Sequence, residues 1–103
     1  MKINFQSVNY TADAKLVEFA KKRIEKTAQF YDQMVAVFIY TKVENSSDKV
    51  NKFAELKIEI PGDDVIVKKT AKSFEEAINT AADSAERVLK KRKEKQRLLG
   101  WFF

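Results

Sequence analysis

Lys52-Phe53-Ala54-Glu55-Leu56-Lys57-Ile58-Glu59-Ile60-Pro61-Gly62-Asp63-Asp64-Val65-Ile66-Val67-Lys68-Lys69-Thr70-Ala71 is the stretch on which the fold turns. Its first nine residues alternate. Ala54, Leu56, Ile58 and Ile60 share one face, and Phe53, Glu55, Lys57 and Glu59 share the other. Successive side chains of a strand point to opposite sides of the sheet, so this is a strand with one buried face. Pro61-Gly62-Asp63-Asp64 is turn chemistry. Val65–Ala71, rich in β-branched residues, is the next strand and returns antiparallel to the first.

Upstream, Met34–Val43 has the β-branched and aromatic content of another strand, set off by the turn cluster Asn45-Ser46-Ser47-Asp48. Met1–Ser7 alternates Ile3 and Phe5 with Lys2, Asn4 and Gln6, a fourth strand at the start of the chain. Between them, Thr11 or Asp13 caps a helix running to about Thr27, with Leu16, Phe19, Ala20, Ile24 and Thr27 as its inner stripe. Phe30-Tyr31-Asp32-Gln33 connects that helix to the next strand. Downstream, Ser73 and Glu76 form a capping box that opens the last helix. Phe74, Ala77, Ile78, Ala81, Ala82, Ala85, Val88 and Leu89 fall within about 140° of one another on its wheel. The small alanines predict close approach to a sheet or to the first helix. After Leu89 the inner positions are taken by Arg92 and Gln96, so the helix outruns the core, and Gly100 is its natural stop. The order β-α-β-β-β-α predicts an α+β, two-layer sandwich: a four-stranded sheet with two helices on one face. Residues 1–97 form one domain and residues 98–103 an apolar, aromatic tail.

A chain of 103 residues suffices for one compact domain, and 45% apolar content suffices for a core. No apolar run approaches the ~18–20 residues that cross a bilayer, and Met1-Lys2-Ile3-Asn4-Phe5 turns polar too soon for a signal peptide. Cysteine is absent, which suits a reducing cytoplasm, and histidine is absent too. The commonest general base, the usual thiol nucleophile and most transition-metal ligands are therefore missing, so neither an enzyme nor a bound cofactor is expected. Asp63-Asp64 would be Mg²⁺ ligands in another setting; after Pro-Gly they read as turn formers.

Lys and Arg number 20 against 15 acids, a net charge of +5. Lys90-Lys91-Arg92-Lys93-Glu94-Lys95-Gln96-Arg97 holds six cations and one anion, so the whole net charge sits in this segment. Such runs are often solvated helix ends favoured by the helix dipole. Two further patterns favour a polyanion instead. Thr80, Ser84, Arg87 and Lys91 lie within about 60° on one side of the last helix's apolar stripe, while Glu75 and Glu86 lie on the other. On the first helix Lys15, Lys22 and Lys26 gather beside Phe19, with Arg23 at the border and Glu18 and Glu25 elsewhere. If the helices pack side by side, the two basic flanks make one surface or a groove suited to a phosphate backbone. Lys68, Lys69 and Lys72 add cations near the last helix, or protect an edge strand. Phe38 and Tyr40 would stack bases in a sheet-based RNA reader, but sheet-face packing is the simpler role.

The element order, Phe30-Tyr31-Asp32 after the first helix, the Pro61-Gly62 turn, Ala77-Ile78-Asn79, Arg87 and Lys91-Arg92-Lys93-Glu94-Lys95 together resemble the short ribosome hibernation-promoting factor and ribosome-associated inhibitor A family. The similarity spans about residues 2–95. It implies binding to ribosomal RNA of the small ribosomal subunit, between head and body, over the messenger RNA path and the A and P sites of transfer RNA. Carried to matching positions, the RNA contacts are Arg23 and Lys26 in the first helix and Arg87, Lys91 and Lys93 in the last. The helix wheel adds Lys22 and Lys90. Ser73-Phe74-Glu75 stands where the family usually has Asp-Met-Tyr, and Ser84 where a Lys is often found. Resemblance to the short forms implies inactivation of ribosomes rather than self-driven dimerisation.

Two other classes compete. Lys68-Lys69-Thr70-Ala71-Lys72 is similar to the entry to the last helix of double-stranded-RNA-binding modules, although the leading strand argues against one. A protein-interaction adaptor would instead use the tail. Leu98, Leu99, Trp101, Phe102 and Phe103 form an apolar cluster expected to be a contact element, against a partner, a second copy or the domain itself.

Overall fold

The computed structural model describes residues 1–100, with side chains to Leu98. Its elements are β1 (Lys2–Val8), α1 (Ala14–Ala28), β2 (Ala36–Val43), β3 (Lys52–Ile60), β4 (Asp63–Ala71) and α2 (Phe74–Gly100). The strands form one sheet in the order β1-β2-β3-β4. β3 runs antiparallel to both of its neighbours, β2 and β4, as the short connections require, with Ile39 opposite Leu56 and Leu56 opposite Val67. β1 lies parallel to β2, Ile3 opposite Val37. A parallel pair needs a long crossover, and α1 supplies it.

The β3 alternation is realised residue by residue: Ala54, Leu56, Ile58 and Ile60 are buried, and their neighbours are half-buried on the open face. One core gathers Leu16, Ala20 and Ile24 of α1, Val37 and Ile39 of β2, the β3 set, Val65, and Phe74, Ala77, Ile78, Ala81, Ala82, Ala85 and Leu89 of α2. Both helices therefore cover the same face of the sheet. The α2 alanines are fully buried because the helix backbone lies close against β3 and β4.

Boundaries differ from the sequence expectation where backbone pairing decides them. β2 begins at Ala36 and not Met34; Met34 is buried, Val35 is 57% exposed, and the Val35 N–H still donates to the Glu59 carbonyl at 2.8 Å. β4 begins at Asp63, opposite Ile60, so the turn is only Pro61-Gly62. Gly62 takes φ +89°, open to glycine without steric penalty. Asp13, not Thr11, caps α1, its carboxylate accepting from Leu16 N–H at 2.8 Å. Ser73 caps α2 by accepting from Glu76 N–H at 3.1 Å. Val88 is 38% exposed and not in the core, because at that height it lies on the side of α2 turned from α1.

Tyr10 closes the top of the core. Its ring stacks on Phe74 with centroids 4.3 Å apart. Thr41 donates to the Gln6 carbonyl at 2.9 Å, which leaves the Tyr10 hydroxyl to donate to Thr41 Oγ1 at 2.6 Å.

Beyond Leu89, the last buried residue of α2 among the described side chains, the helix runs on through Gly100, the last described residue. Arg92 ties this overhang to the β3–β4 corner through Asp63, 2.9 Å away. Leu98 belongs to the helix and is 64% exposed. The expected contact role of Trp101, Phe102 and Phe103 lies outside the described residues, as do the side chain of Leu99 and whatever follows Gly100.

Candidate nucleic-acid interface

The seam between the helices is organised by Arg23. It borders the buried stripe of α1, so its stem is enclosed while its head points across to α2. The side chain is only 11% exposed. Nε donates to Asn79 Oδ1 at 3.1 Å; one terminal nitrogen donates to Thr27 Oγ1 at 3.0 Å and Glu86 Oε1 at 2.9 Å. The other donates to Asp83 Oδ1 at 2.8 Å and Glu86 Oε2 at 3.3 Å. A guanidinium has five N–H donors in a rigid fork, and this set occupies all of them. The bond to Glu86 above all holds the Arg23 pKa above its ordinary value, against the opposing effect of burial.

Arg23, expected as an RNA contact, lies in the seam between the helices, and the two basic flanks do not meet there. Arg23 has no donor left for a phosphate. The side of α2 that meets α1 is the Asn79, Asp83 and Glu86 side, while Thr80, Ser84 and Lys91 are turned away from α1. Like charges would not pack there; an arginine and two carboxylates do. The α1 cations lie on its outer surface: Lys22 is exposed and paired with Glu18 at 3.0 Å, and Lys26 is exposed in the last turn.

A groove forms instead where the end of α1 meets the second half of α2. It encloses about 940 Å³. Tyr31 and Leu89, both buried, line it, and Phe30 lies along it. Arg87, Lys90, Lys93 and Arg97 bring positive charge, against Asp83, Glu86 and Glu94. Two of those acids are bound to Arg23, which leaves Glu94 facing four cations. Lys93 donates to the Phe30 carbonyl at 3.3 Å, and Arg87 to Ser84 Oγ at 3.2 Å. Three expected residues, Arg87, Lys90 and Lys93, are thus brought together, and Lys91 is not. Arg97 is an addition: 90, 93 and 97 repeat the helical period on one face, a spacing that would have found it.

The remaining candidates scatter. Lys68 lies on the open face of the sheet, while Lys69, one residue on, points the other way and is half-buried. Phe38 and Tyr40 are half-buried: Lys57 lies over the Phe38 ring at 5.8 Å, and Tyr40 packs edge-on to Phe53. Asp63 and Asp64 each face a cation, Arg92 and Lys57. Among the described residues no cluster of three or more acidic, His or Cys side chains is arranged to hold a metal, and no helix is long and apolar enough to cross a membrane.

Residues 3–97 match the family model described as Sigma 54 modulation protein / S30EA ribosomal protein. The chain belongs to the S30EA ribosomal protein family. Among curated S30EA relatives, a ribosome hibernation promoting factor of Pseudomonas putida is 28% identical over 99 residues, covering 96% of this chain and 93% of its own. Two solved structures share the S30EA fold seen here. A ribosomal subunit interface protein of Coxiella burnetii superposes with a TM-score of 0.81 at 16% identity, covering 91% of this chain and 99% of its own. The N-terminal domain of Protein Y of Thermus thermophilus superposes with a TM-score of 0.76 at 18% identity, covering 88% and 98%.

Proposed function

We infer that the protein is a ribosome hibernation factor, acting in the cytoplasm, which binds ribosomal RNA of the small subunit and holds the messenger RNA path and the A and P sites closed. The single observation that carries this reading is the α1–α2 groove, where four cations converge while an internal arginine neutralises two of the three acids beside them. Such a surface suits phosphate oxygens, which need charge and donors held in fixed positions. Membership of the S30EA family and the name of the Pseudomonas putida relative supply the ribosome as the polyanion. Arg87, Lys90, Lys93 and Arg97 are the proposed phosphate contacts, with Lys91 on the outer flank of α2 and Lys22 and Lys26 on the outer surface of α1 as further candidates. Arg23 acts through the others: it fixes the helix pair and removes negative charge from the groove.

The mechanism is occupancy, with no covalent step. A rigid domain filling RNA-lined space excludes other ligands in proportion to its affinity, and withdraws when that affinity falls. The test is co-sedimentation of the full chain with purified small subunits, alongside cell-free translation. The expected result is stoichiometric binding, inhibition that scales with it, and displacement by messenger or transfer RNA. Binding to an RNA duplex as tight as to the subunit would favour a double-stranded-RNA module, and no binding to the subunit would overturn the proposal.

A further inference from the structure

Phe30 is the one aromatic side chain among the described residues left mainly in water, 55% exposed. Its backbone, by contrast, is fixed. The Phe30 N–H donates to the Thr27 carbonyl at 3.1 Å, closing the end of α1, and its carbonyl accepts from Lys93 at 3.3 Å. Tyr31, next in the chain, is buried and anchors the segment. An exposed phenyl ring on an immobilised backbone contributes little to the fold, since most of its apolar area is still hydrated. It lies along the groove that carries Arg87, Lys90, Lys93 and Arg97.

We propose that this groove is a site for single-stranded RNA, in which an unpaired base stacks on Phe30 while the adjoining phosphates meet Lys90, Lys93 and Arg97. The inference rests on the RNA-binding reading above and makes it narrower. Cations alone recognise any phosphate backbone, paired or not. A free aromatic face beside them recognises only a base whose own face is free, because bases inside a duplex are already stacked on both sides. Charge complementarity selects nucleic acid over an apolar peptide, and the ring selects unpaired nucleotides over a helix. Stacking tolerates any base, so the site carries no sequence preference.

The probes are a single-stranded RNA of about a dozen nucleotides, a duplex of the same sequence and purified small subunits, each titrated with the full chain. Phe30→Ala is expected to weaken single-strand binding by about ten-fold. Duplex binding and the salt dependence of single-strand binding stay as they were, because no charge is removed. Phe30→Leu, which keeps the apolar bulk and removes the π face, gives a similar loss, and Phe30→Tyr restores binding. Lys90→Ala with Lys93→Ala weakens binding to all three probes. A chain that does not bind the single strand, a Phe30→Ala loss under two-fold, an equal loss on the duplex, or full binding by Phe30→Leu overturns the stacking site. Small-subunit binding unaffected by the double lysine change overturns the underlying RNA reading instead, so the two failures are distinguishable.

Discussion

Arg23 shows how a residue's role depends on what stands opposite it. Helical phase puts it at the border between the buried stripe of α1 and a lysine cluster, which fits a phosphate contact or a clamp equally well. Which it is depends on the face that α2 turns toward α1, and periodicity along α1 carries no information on that. With five donors engaged and Glu86 only 16% exposed, removing Arg23 strands a largely desolvated carboxylate. Arg23→Ala is expected to cost about 2 kcal/mol, less than a fully buried pair because the site keeps some water. Thermal unfolding should show it as a drop of roughly 8–16 °C. Adding Glu86→Gln should recover part of that loss, whereas no recovery would mean the carboxylate is not what suffers. Tyr10 yields a pH dependence. Burial pushes its phenol above the ordinary value of 10, with Glu75 and Asp13 adding to the shift. A group whose folded pKa is raised contributes stability below its unfolded pKa and loses it as pH rises through the folded one. Alkaline titration above pH ~10 should therefore destabilise the wild type more steeply than Tyr10→Phe. Equal slopes would contradict the buried Tyr10–Thr41 bond.

At the scale of elements, the sequence was most legible where one residue type does one job. The β3 alternation and the Ser73 cap are set by local sterics and hydrogen bonding, and each is where the pattern put it; the turn centred on Pro61-Gly62 is shorter than the pattern suggested, because Asp63 and Asp64 pair with β3. Edges were harder. Val35 pairs through its backbone while its side chain faces water, and Val88 sits in phase with the core but beyond its reach. Both are tertiary outcomes of where neighbouring elements stop. The basic surface was legible as a segment and not as a face. The run Lys90–Arg97 winds around the helix, and only Lys90, Lys93 and Arg97 turn toward the groove, with Arg92 spent on Asp63. Lys90→Ala with Lys93→Ala should lower small-subunit affinity about ten-fold or more, or about 1.4 kcal/mol, leaving the melting temperature unchanged. Glu75→Ala, an exposed acid near the other end of the same helix, should leave affinity unchanged. Similar losses from both would place the interface elsewhere.

The whole molecule is longer than a compact domain of this size, with principal extents of 53 × 25 × 19 Å and a radius of gyration of 14.8 Å against about 13 Å for a compact chain of 100 residues. α2 is the cause: 27 residues at ~1.5 Å each make a rod of about 40 Å, and its last turns leave the sheet behind. That overhang carries the net charge of the chain out to one end, the form expected of a domain that inserts its charge into a polyanionic cleft. If binding is phosphate contact along this end, each contact releases condensed counterions, and affinity must fall with salt by roughly 0.7–0.9 log units per log unit for each contact. The most direct measurement is the affinity of the full chain for purified small ribosomal subunits across a range of monovalent salt, beside the Lys90→Ala, Lys93→Ala double variant. The account predicts a log–log slope of at least about three for the wild type, reduced by one to two in the variant. A wild-type affinity that hardly changes between low and moderate salt, or an identical slope in the variant, would contradict it.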